Sequence, residues 1–428
     1  MVAVAFGLRL AWLLWARTEA PLDWLQAGDQ YSYWYYGNEI AAGRGYVGYI
    51  THVPTAYYPV GYPAILAGLF WVLNQLHLDS HLFFAGGLLH VAVSTATVAL
   101  VIYIGTRTFN SRVGLIAGAL LAVWPNLIYQ VATYQVETMF VFTSVLAVAV
   151  IVGHDWSTGV PSRNRLLAFG VALGVSAYVR PFSIWFLLGL FLAALAVHAG
   201  WRKAVLVTLI PAGVVVVMFV PWVIRNEIRM HAFIPTSTNT GDTLCLDRND
   251  TATGGFRFAD HDGCVDPNLP EVPRNNGNTR KAIEFVTHEP GREALQIVRR
   301  GQLMFNGDHD GLYATQSLHG DPAIRTKPYN FFSSTADWYF YVVLVPAVFG
   351  LVFLFRGPHP AERRIVAVAT ISLLVIPLLL WGNQRFHVPL IPFMALLAAA
   401  TFDWVLQSVH ARRRSDDLSV VGVRPDRQ

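Results

Sequence analysis

A carboxylate beside a row of aromatic side chains is the most informative chemical feature of the sequence. Asp29 lies at the start of the stretch GDQYSYWYYGNEIAAGRGY, which covers residues 28–46. With a helical period, Asp29, Tyr33 and Tyr36 share one face. A carboxylate can remove a proton from an attacking hydroxyl, and aromatic faces can stack on a sugar ring. Tyrosine and tryptophan also concentrate at the membrane surface, so the stretch predicts chemistry on a sugar at the water edge of a membrane.

Three further charged residues break the usual rules for membrane proteins. Glu137 lies within an apolar run, and Arg180 and Arg385 lie at turns that the loop charges assign to the outer side. A guanidinium can bind two phosphate oxygens at once, so both arginines could hold an anionic leaving group. The structural alternatives are an interhelical hydrogen bond for Glu137 and helix-ending roles for the arginines, which precede Pro181 and Pro389.

Other assignments stay open at this point. Asp23 is a rival base, although it lies before the aromatic stretch. Asp29 and Glu137 could share a divalent cation, but the sequence contains no compelling metal-binding constellation. Arg9 interrupts the first apolar run, and we expect it to be structural or to extend toward the membrane surface.

The composition places these residues in a membrane protein. Of 428 residues, 54% are hydrophobic and only 14% are charged, whereas about a quarter are charged in soluble domains. We therefore predict an all-α polytopic membrane protein. Most of the positive charge lies in short loops, where it indicates orientation, so we expect no nucleic-acid partner.

Ten apolar runs predict about ten transmembrane helices. The first, residues 1–17, lacks a basic leader and an A-x-A-like cleavage site, so we interpret it as a retained helix and not as a signal peptide. A first outward loop over residues 18–81 follows, and its apolar run to Leu76 predicts an interfacial helix. The remaining runs begin near Leu82, Arg112, Tyr134, Leu166, Phe182, Ala204, Trp338, Ile365 and Val388.

The charges of the loops predict the orientation and the division into domains. By the positive-inside rule both termini are cytoplasmic, because the basic loops contain Arg107, Arg112, Arg163, Arg165, Arg202, Lys203, Arg356, Arg363, Arg364 and Arg412. We predict an N-terminal transmembrane module (1–224), an extracytoplasmic α/β or irregular loop domain (225–337), C-terminal transmembrane helices (338–411) and a cytoplasmic basic tail (412–428).

Both cysteines of the protein lie in the predicted extracytoplasmic segment. Cys245 and Cys264 are nineteen positions apart, and an oxidising exterior would let them form a disulfide. Closing a loop of that size contributes about 3 kcal/mol to the free energy of unfolding in the chain-entropy treatment. The alternative is two unpaired thiols. A metal site is not indicated, since there is no C-x-x-C pair or clustered histidine.

The order of motifs along the chain resembles a known superfamily. After the first apolar run come Asp29 with Tyr33, YYPVGYP (57–63), PNLIYQVATYQVET (125–138), VRP (179–181), TSTNTGDTLCLDRNDTATGG (236–255) and GNQRFHVPLIPF (382–393). Together these motifs resemble the GT-C superfamily of polyprenyl-phosphate-sugar glycosyltransferases. Within it they are similar to the branch of the protein O-mannosyltransferases and the lipid A aminoarabinose transferases.

The resemblance implies transfer of a hexose or pentose, with inversion, from a polyprenyl phosphate to an acceptor hydroxyl at the outer face of a bacterial plasma membrane. The acceptor would be a glycolipid, a cell-wall glycan or a protein. Asp29 matches the general base, Glu137 matches a recurrent acid, and Arg180 and Arg385 suit the lipid phosphate. The other residues expected to bind substrate are Tyr33, Tyr36, Tyr58 and His387.

Two positions depart from the family pattern. Val60 stands where the family often has a second proline, and Gln30 follows Asp29 where protein O-mannosyltransferases typically have a second acid. The second departure weakens the case for a protein acceptor.

Two other classes of function compete with the transferase. A transporter or flippase of lipid-linked sugar would also contain many helices and intramembrane charges, but the halves of the sequence show no matching interrupted helices. A non-catalytic subunit that binds lipid-linked sugar is the other class, and the intact Asp29 argues against it.

Overall fold

The chain forms a bundle of apolar helices with shorter helices at one end, as described by a computed structural model. The structure describes residues 1–16, 28–256, 264, 269–319 and 326–420. Within these ranges the β pairing is limited to two isolated bridges, Val47 with Pro54 and Gly255 with Gly382. The predicted all-α class is confirmed for the described residues.

The α-helices of the described residues are numbered here in chain order. They are α1 (Val2–Ala16), α2 (Asp29–Ala41), α3 (Gly61–Gln75), α4 (Leu82–Thr108), α5 (Ser111–Ala122), α6 (Pro125–Tyr129), α7 (Glu137–Val152), α8 (Arg163–Val179), α9 (Phe186–Ala196), α10 (Trp201–Met230), α11 (Thr240–Cys245), α12 (Glu271–His288), α13 (Pro290–Met304), α14 (Asp310–His319), α15 (Thr326–Gly350), α16 (Pro360–Leu378) and α17 (Ile391–Val420).

A helix occurs at each of the ten predicted apolar runs, but their lengths differ. Within the described residues, four helical stretches are long and apolar enough to cross a membrane, Asp79–Thr108, Trp201–Met230, Lys327–Leu354 and Gln384–Arg412. A fifth results if Ser111–Ala122 and Pro125–Ala132, bent by 58°, form one broken span. Helices α1, α7 and α9 are apolar but shorter. The chain is thus a membrane protein, and the count of ten spans stays a prediction.

Helix α17 lies at the centre of the bundle. Of its most apolar window, 78% is buried inside the protein. A methyl group added to Gly350 of α15 would lie 2.2 Å from the Leu397 carbonyl oxygen, so the two backbones are in direct contact. Small residues allow such close packing, which matters in lipid because no hydrophobic driving force holds one helix against another there. The 3₁₀ turn that contains Arg385, Gln384–Phe386, precedes α17 and is separated from it by one more short turn, Val388–Leu390.

The predicted helix at Asp29 is confirmed as α2, with the acid in the first turn, where the helix dipole favours a negative charge. Helix α2 packs closely on α3, since a methyl group on Gly37 would lie 3.0 Å from Leu66. Helix α3 in turn touches α8, since a methyl group on Gly61 would lie 2.4 Å from the Tyr178 backbone. These close approaches bring the first loop against the end of α8.

The buried Arg9 is structural and does not extend toward the membrane surface. Its side chain is fully buried and donates to Ser94 at 2.7 Å and to the carbonyls of Ala122 and Leu121 at 2.9 and 3.2 Å. The last carbonyls of a helix lack intrahelical partners, so Arg9 satisfies the end of α5.

The predicted loop domain is helical where it is described, and the α/β alternative is wrong there. Helices α11 to α14 occupy the segment, together with irregular connections. Cys245 and Cys264 form a disulfide with 5.7 Å between their Cα atoms. The domain boundaries and the extracytoplasmic position of the segment stay predictions.

Candidate active site

Asp29 is held by two side chains from distant parts of the chain. Tyr58 donates a hydrogen bond to its Oδ1 at 2.5 Å, and the Arg385 Nη1 atom donates to its Oδ2 at 2.7 Å. Burial works to raise the pKa of Asp29, but the charge of Arg385 and these hydrogen bonds outweigh it and lower the pKa below its ordinary value. Asp29 is therefore ionised at neutral pH, and its side chain stays 28% exposed.

A second acid and arginine pair lies next to the first. Glu137 is the first residue of α7, and Arg180 directly follows α8. The Glu137 Oε1 atom accepts a hydrogen bond from Arg180 Nη2 at 2.5 Å and lies 4.0 Å from Arg385 Nε. An acid at a helix start and a cation at a helix end both fit the helix dipoles. Arg385 thus contacts both carboxylates and joins the two pairs into one site.

Three polar atoms of this site are buried without a hydrogen-bond partner. They are Oε2 of Glu137, Nη1 of Arg180 and Nε of Arg385. A buried polar group without a partner costs about 1–3 kcal/mol, and more if it is charged. The two arginine donors are therefore suited to bind phosphate oxygens of a ligand, and the glutamate oxygen is suited to accept from a ligand hydroxyl.

The tyrosines predicted to bind substrate have different roles. Tyr33 is 6% exposed, and its ring lies 5.1 Å from that of Tyr58 and 5.2 Å from that of Tyr62. Burial and the charge of Asp29 raise the pKa of Tyr33, so the phenol stays protonated. Tyr58 orients Asp29 directly. Tyr36 packs 4.6 Å from the Tyr46 ring in a buried apolar cluster, so we assign it to packing and not to substrate contact.

His387 makes its contacts inside the protein. Its side chain is fully buried, and its Nδ1 atom donates to the Met304 carbonyl at 2.6 Å. Its Nε2 atom lies 2.8 Å from Oδ1 of Asp308. Since both ring nitrogens are engaged inside the protein, these contacts favour a structural role for His387, and its substrate contact stays a prediction.

Asp308 belongs to the motif GDHDG at residues 307–311, which the sequence analysis missed. Asp308 is fully buried and accepts hydrogen bonds from Trp124 at 2.6 Å and Asn126 at 2.5 Å. These bonds fix the start of α14 against α6. The signal that could have revealed the motif is three titratable residues between two glycines.

Asp310 of the same motif lies near the charged site. It is buried and accepts a hydrogen bond from Gln130 at 3.2 Å. Burial and the charge of Glu137 raise the pKa of Asp310 to about 6. This carboxyl therefore takes up a proton at a higher pH than an ordinary aspartate does.

A cation shared by Asp29 and Glu137, which the sequence left open, would compete with Arg385 for the space between the two carboxylates. Arg385 contacts both carboxylates and already supplies the positive charge between them. Among the described residues, no group of three or more His, Cys, Asp or Glu side chains has a metal-binding arrangement. The rival base Asp23 lies outside the described residues.

An apolar groove of about 420 Å³ opens next to the site. It lies between α3, α8 and α10 and is lined by Ile65, Val175 and Trp222 among others. Its lining also includes Val60 and Tyr178, which lie two positions from Tyr58 and Arg180 in the sequence. One end of the groove therefore lies close to the charged residues.

The sequence matches no protein-family model and no curated protein. Its fold matches the crystal structure of the apo oligosaccharyltransferase of Archaeoglobus fulgidus, with a TM-score of 0.54 and 13% identity over 99% of this chain and 53% of that chain. The complex of the archaeal oligosaccharyltransferase AglB from the same organism with an inhibitory peptide and a dolichol-phosphate gives a TM-score of 0.50 and 14% identity over 99% and 52%. ArnT from Cupriavidus metallidurans bound to undecaprenyl phosphate gives 0.44 and 14% over 94% and 76%.

These comparisons show the fold. The chain shares the overall fold of the archaeal oligosaccharyltransferase, and the predicted resemblance is confirmed at the level of the fold. The chain spans about half the length of those enzymes. Sequence identities of 13% and 14% are too low to assign the reaction of those enzymes to this chain. The TM-score of 0.44 for ArnT is too low to support an argument.

Proposed function

We propose that this chain is a membrane glycosyltransferase that moves a sugar from a polyprenyl-phosphate donor to an acceptor hydroxyl with inversion. The observation that carries the proposal is the convergence of two acids and two arginines from four distant segments, with three of their buried atoms unpaired. The GT-C fold supports it. The structure of one neighbour of this fold, AglB, is a complex with an inhibitory peptide and a dolichol-phosphate.

Asp29 is the general base of the proposed reaction. Its carboxylate removes the proton of the acceptor hydroxyl while that oxygen forms a bond to the anomeric carbon. The bond between the anomeric carbon and the donor phosphate breaks, and the phosphate leaves with the electron pair. Tyr58 and Arg385 each use one lone pair of the carboxylate, which has about four, so an acceptor hydroxyl can still bind.

Arg180 and Arg385 stabilise the leaving phosphate. Negative charge develops on that group as the bond breaks, and guanidinium donors in a buried site stabilise it strongly. Nη1 of Arg180 and Nε of Arg385 donate no hydrogen bond within the protein and are available for this contact. Glu137 holds both arginines in place before the donor binds.

The apolar groove beside Arg180 is proposed to hold the isoprenoid chain of the donor. Its lining is almost entirely apolar and includes Tyr178, two residues before Arg180 in the sequence. A lipid chain in the groove and its phosphate at the arginines would place the sugar next to Asp29.

The orientation follows from the same assignment. We place the active site and the segment 225–337 outside a bacterial plasma membrane, with ten spans and both termini in the cytoplasm. The loop charges support this orientation. Arg112 of a basic loop pairs at 3.1 Å with Asp403, which lies well along α17 from the end near Arg385. The basic loop and the active site are therefore assigned to opposite sides of the membrane. The sugar and the acceptor, whether glycolipid, cell-wall glycan or protein, are to be found by experiment.

The direct test uses purified protein, membrane extract and a panel of radiolabelled polyprenyl-phosphate sugars that includes mannose, arabinose and aminoarabinose. We expect label from one of these donors to move into an acceptor. If folded protein consumes no donor of the panel, the transferase is the wrong assignment and transport of lipid-linked sugar becomes the hypothesis to test.

A larger side chain in the groove tests the lipid assignment. We expect Ala64→Phe to raise KM for a long-chain donor roughly tenfold, since about ten lost carbon contacts at 0.1–0.2 kcal/mol each amount to about 1–2 kcal/mol. A donor with a chain of two isoprene units should be unaffected. The measurement is KM for both donors.

Leu188→Phe is the matched control, because Leu188 is an exposed apolar residue on α9 and not part of the groove lining. It should leave both KM values unchanged. An equal rise in KM for the short and the long donor with Ala64→Phe would contradict the lipid assignment.

A further inference from the structure

Four buried charged side chains form a cluster next to the active site. Arg300 is fully buried, and its guanidinium bonds to Asp247 and to both carboxylate oxygens of Glu293, at 2.7 and 3.1 Å. Arg248 donates to the same Glu293 at 2.7 Å. We call Asp247, Arg248, Glu293 and Arg300 the charged clamp. Its members come from α13 and from the connection after α11.

The charged clamp holds the end of α16. Arg300 donates to the carbonyl of Leu378 at 3.1 Å, and Arg248 donates to the carbonyl of Leu379 at 2.8 Å. The last carbonyls of a helix lack intrahelical partners and carry a partial negative charge, so two arginines at this end bind it strongly. The chain continues from this point to Arg385.

A second set of contacts holds the next residues. The Gly382 amide donates to the Gly254 carbonyl at 2.6 Å, and the Gly254 amide donates to Asp247 of the clamp at 2.7 Å. A methyl group on Gly382 would lie 2.8 Å from the Arg300 backbone, so the turn lies directly against the clamp. Three residues later the Arg385 side chain reaches Asp29 at 2.7 Å.

We propose that the charged clamp positions Arg385 for the reaction, which makes Arg300 and Arg248 positioning residues of the active site. The clamp fixes the chain at residues 378, 379 and 382, and Arg385 follows in a short 3₁₀ turn. The inference rests on the proposed function, because Arg385 matters to it as the partner of Asp29 and of the donor phosphate.

The energetics support a role in positioning. Removing charges from water is costly, and well-packed apolar residues often stabilise a fold as well as a buried ion pair does. The four charges instead provide directional bonds to two carbonyls and to a glycine amide. A displacement of about 1 Å at a reacting group can cost about 100-fold in rate, so small shifts of this turn should affect transfer strongly.

The test is a double-mutant cycle between the clamp and Arg385. We expect Arg300→Lys, which keeps the charge and loses the planar fork, to lower kcat/KM for transfer about 10- to 100-fold. In the Arg385→Gln background the same change should have almost no further effect, because the clamp acts through Arg385. Arg248→Lys, combined in the same way, is the second variant. Folded protein is quantified for each by size exclusion and thermal melting.

The outcomes separate the clamp from the proposed function. Equal losses in both backgrounds, which a merely structural role would produce, would overturn the positioning role while leaving the transferase intact. No transfer by the wild type would instead contradict the proposed function. If both clamp variants are unfolded, the clamp is a stability element and the positioning role is rejected. Arg292→Lys is the control on α13, because its pair with Asp250 is solvent-exposed, and it should leave transfer unchanged.

Discussion

Asp29→Asn is expected to lower kcat for sugar transfer about 100- to 10,000-fold while donor binding stays within a few-fold of the wild type. The amide keeps the shape of the side chain and still accepts from Tyr58 or Arg385, but it cannot take the proton of the acceptor hydroxyl. The measurement is single-turnover transfer from a radiolabelled donor, together with the equilibrium Kd of that donor.

Asp79→Asn is the matched control, since Asp79 is an exposed acid of the same predicted loop and should tolerate the change. Transfer that persists at the wild-type rate in Asp29→Asn would remove Asp29 from the role of base. Loss of donor binding together with transfer would indicate that Asp29 serves the donor site. If the protein is instead a transporter of lipid-linked sugar, its transport rate should survive the substitution.

Arg385→Gln is expected to lower kcat/KM about 100- to 1,000-fold, comparable to losing one strong donor at a developing negative charge. It should also change the pH profile. Removing this guanidinium takes away the charge and the hydrogen bond of Arg385, which lower the pKa of Asp29 together with Tyr58 and Arg180, so that pKa rises. The base is active only when ionised, and the acidic limb of the kcat/KM profile should therefore move to higher pH.

Arg385→Lys separates the two effects. It keeps a positive charge beside Asp29, so the acidic limb should move less than in Arg385→Gln, while the loss of the planar fork still lowers transfer. Arg44→Lys is the control, because the Arg44 side chain is 60% exposed and pairs with Glu39 of the same loop, away from Asp29 and Glu137. A profile of Arg385→Gln that coincides with the wild type would show that Arg385 does not act on Asp29.

The sequence alone determined the class of the protein and the local elements of the site. Long apolar runs lead to helices because backbone groups in lipid must bond within their own segment, so α4, α10 and α17 follow from composition. The spacing of Asp29, Tyr33 and Tyr36 predicted α2 because a helical period depends only on local order. Rules for charge in membranes selected Glu137 and Arg180 as functional candidates.

The tertiary structure decided which of these residues meet. Asp29 and Arg385 are separated by 356 positions, and no local pattern specifies their contact. His387, four residues before Ile391 of the buried α17, turns inward to Asp308, while Arg385 in the same turn reaches Asp29. The directions of these side chains depend on packing between segments that are distant in sequence, where steric fit and burial select one arrangement. The same is true of the position of Asp310 near the site and of the charged clamp.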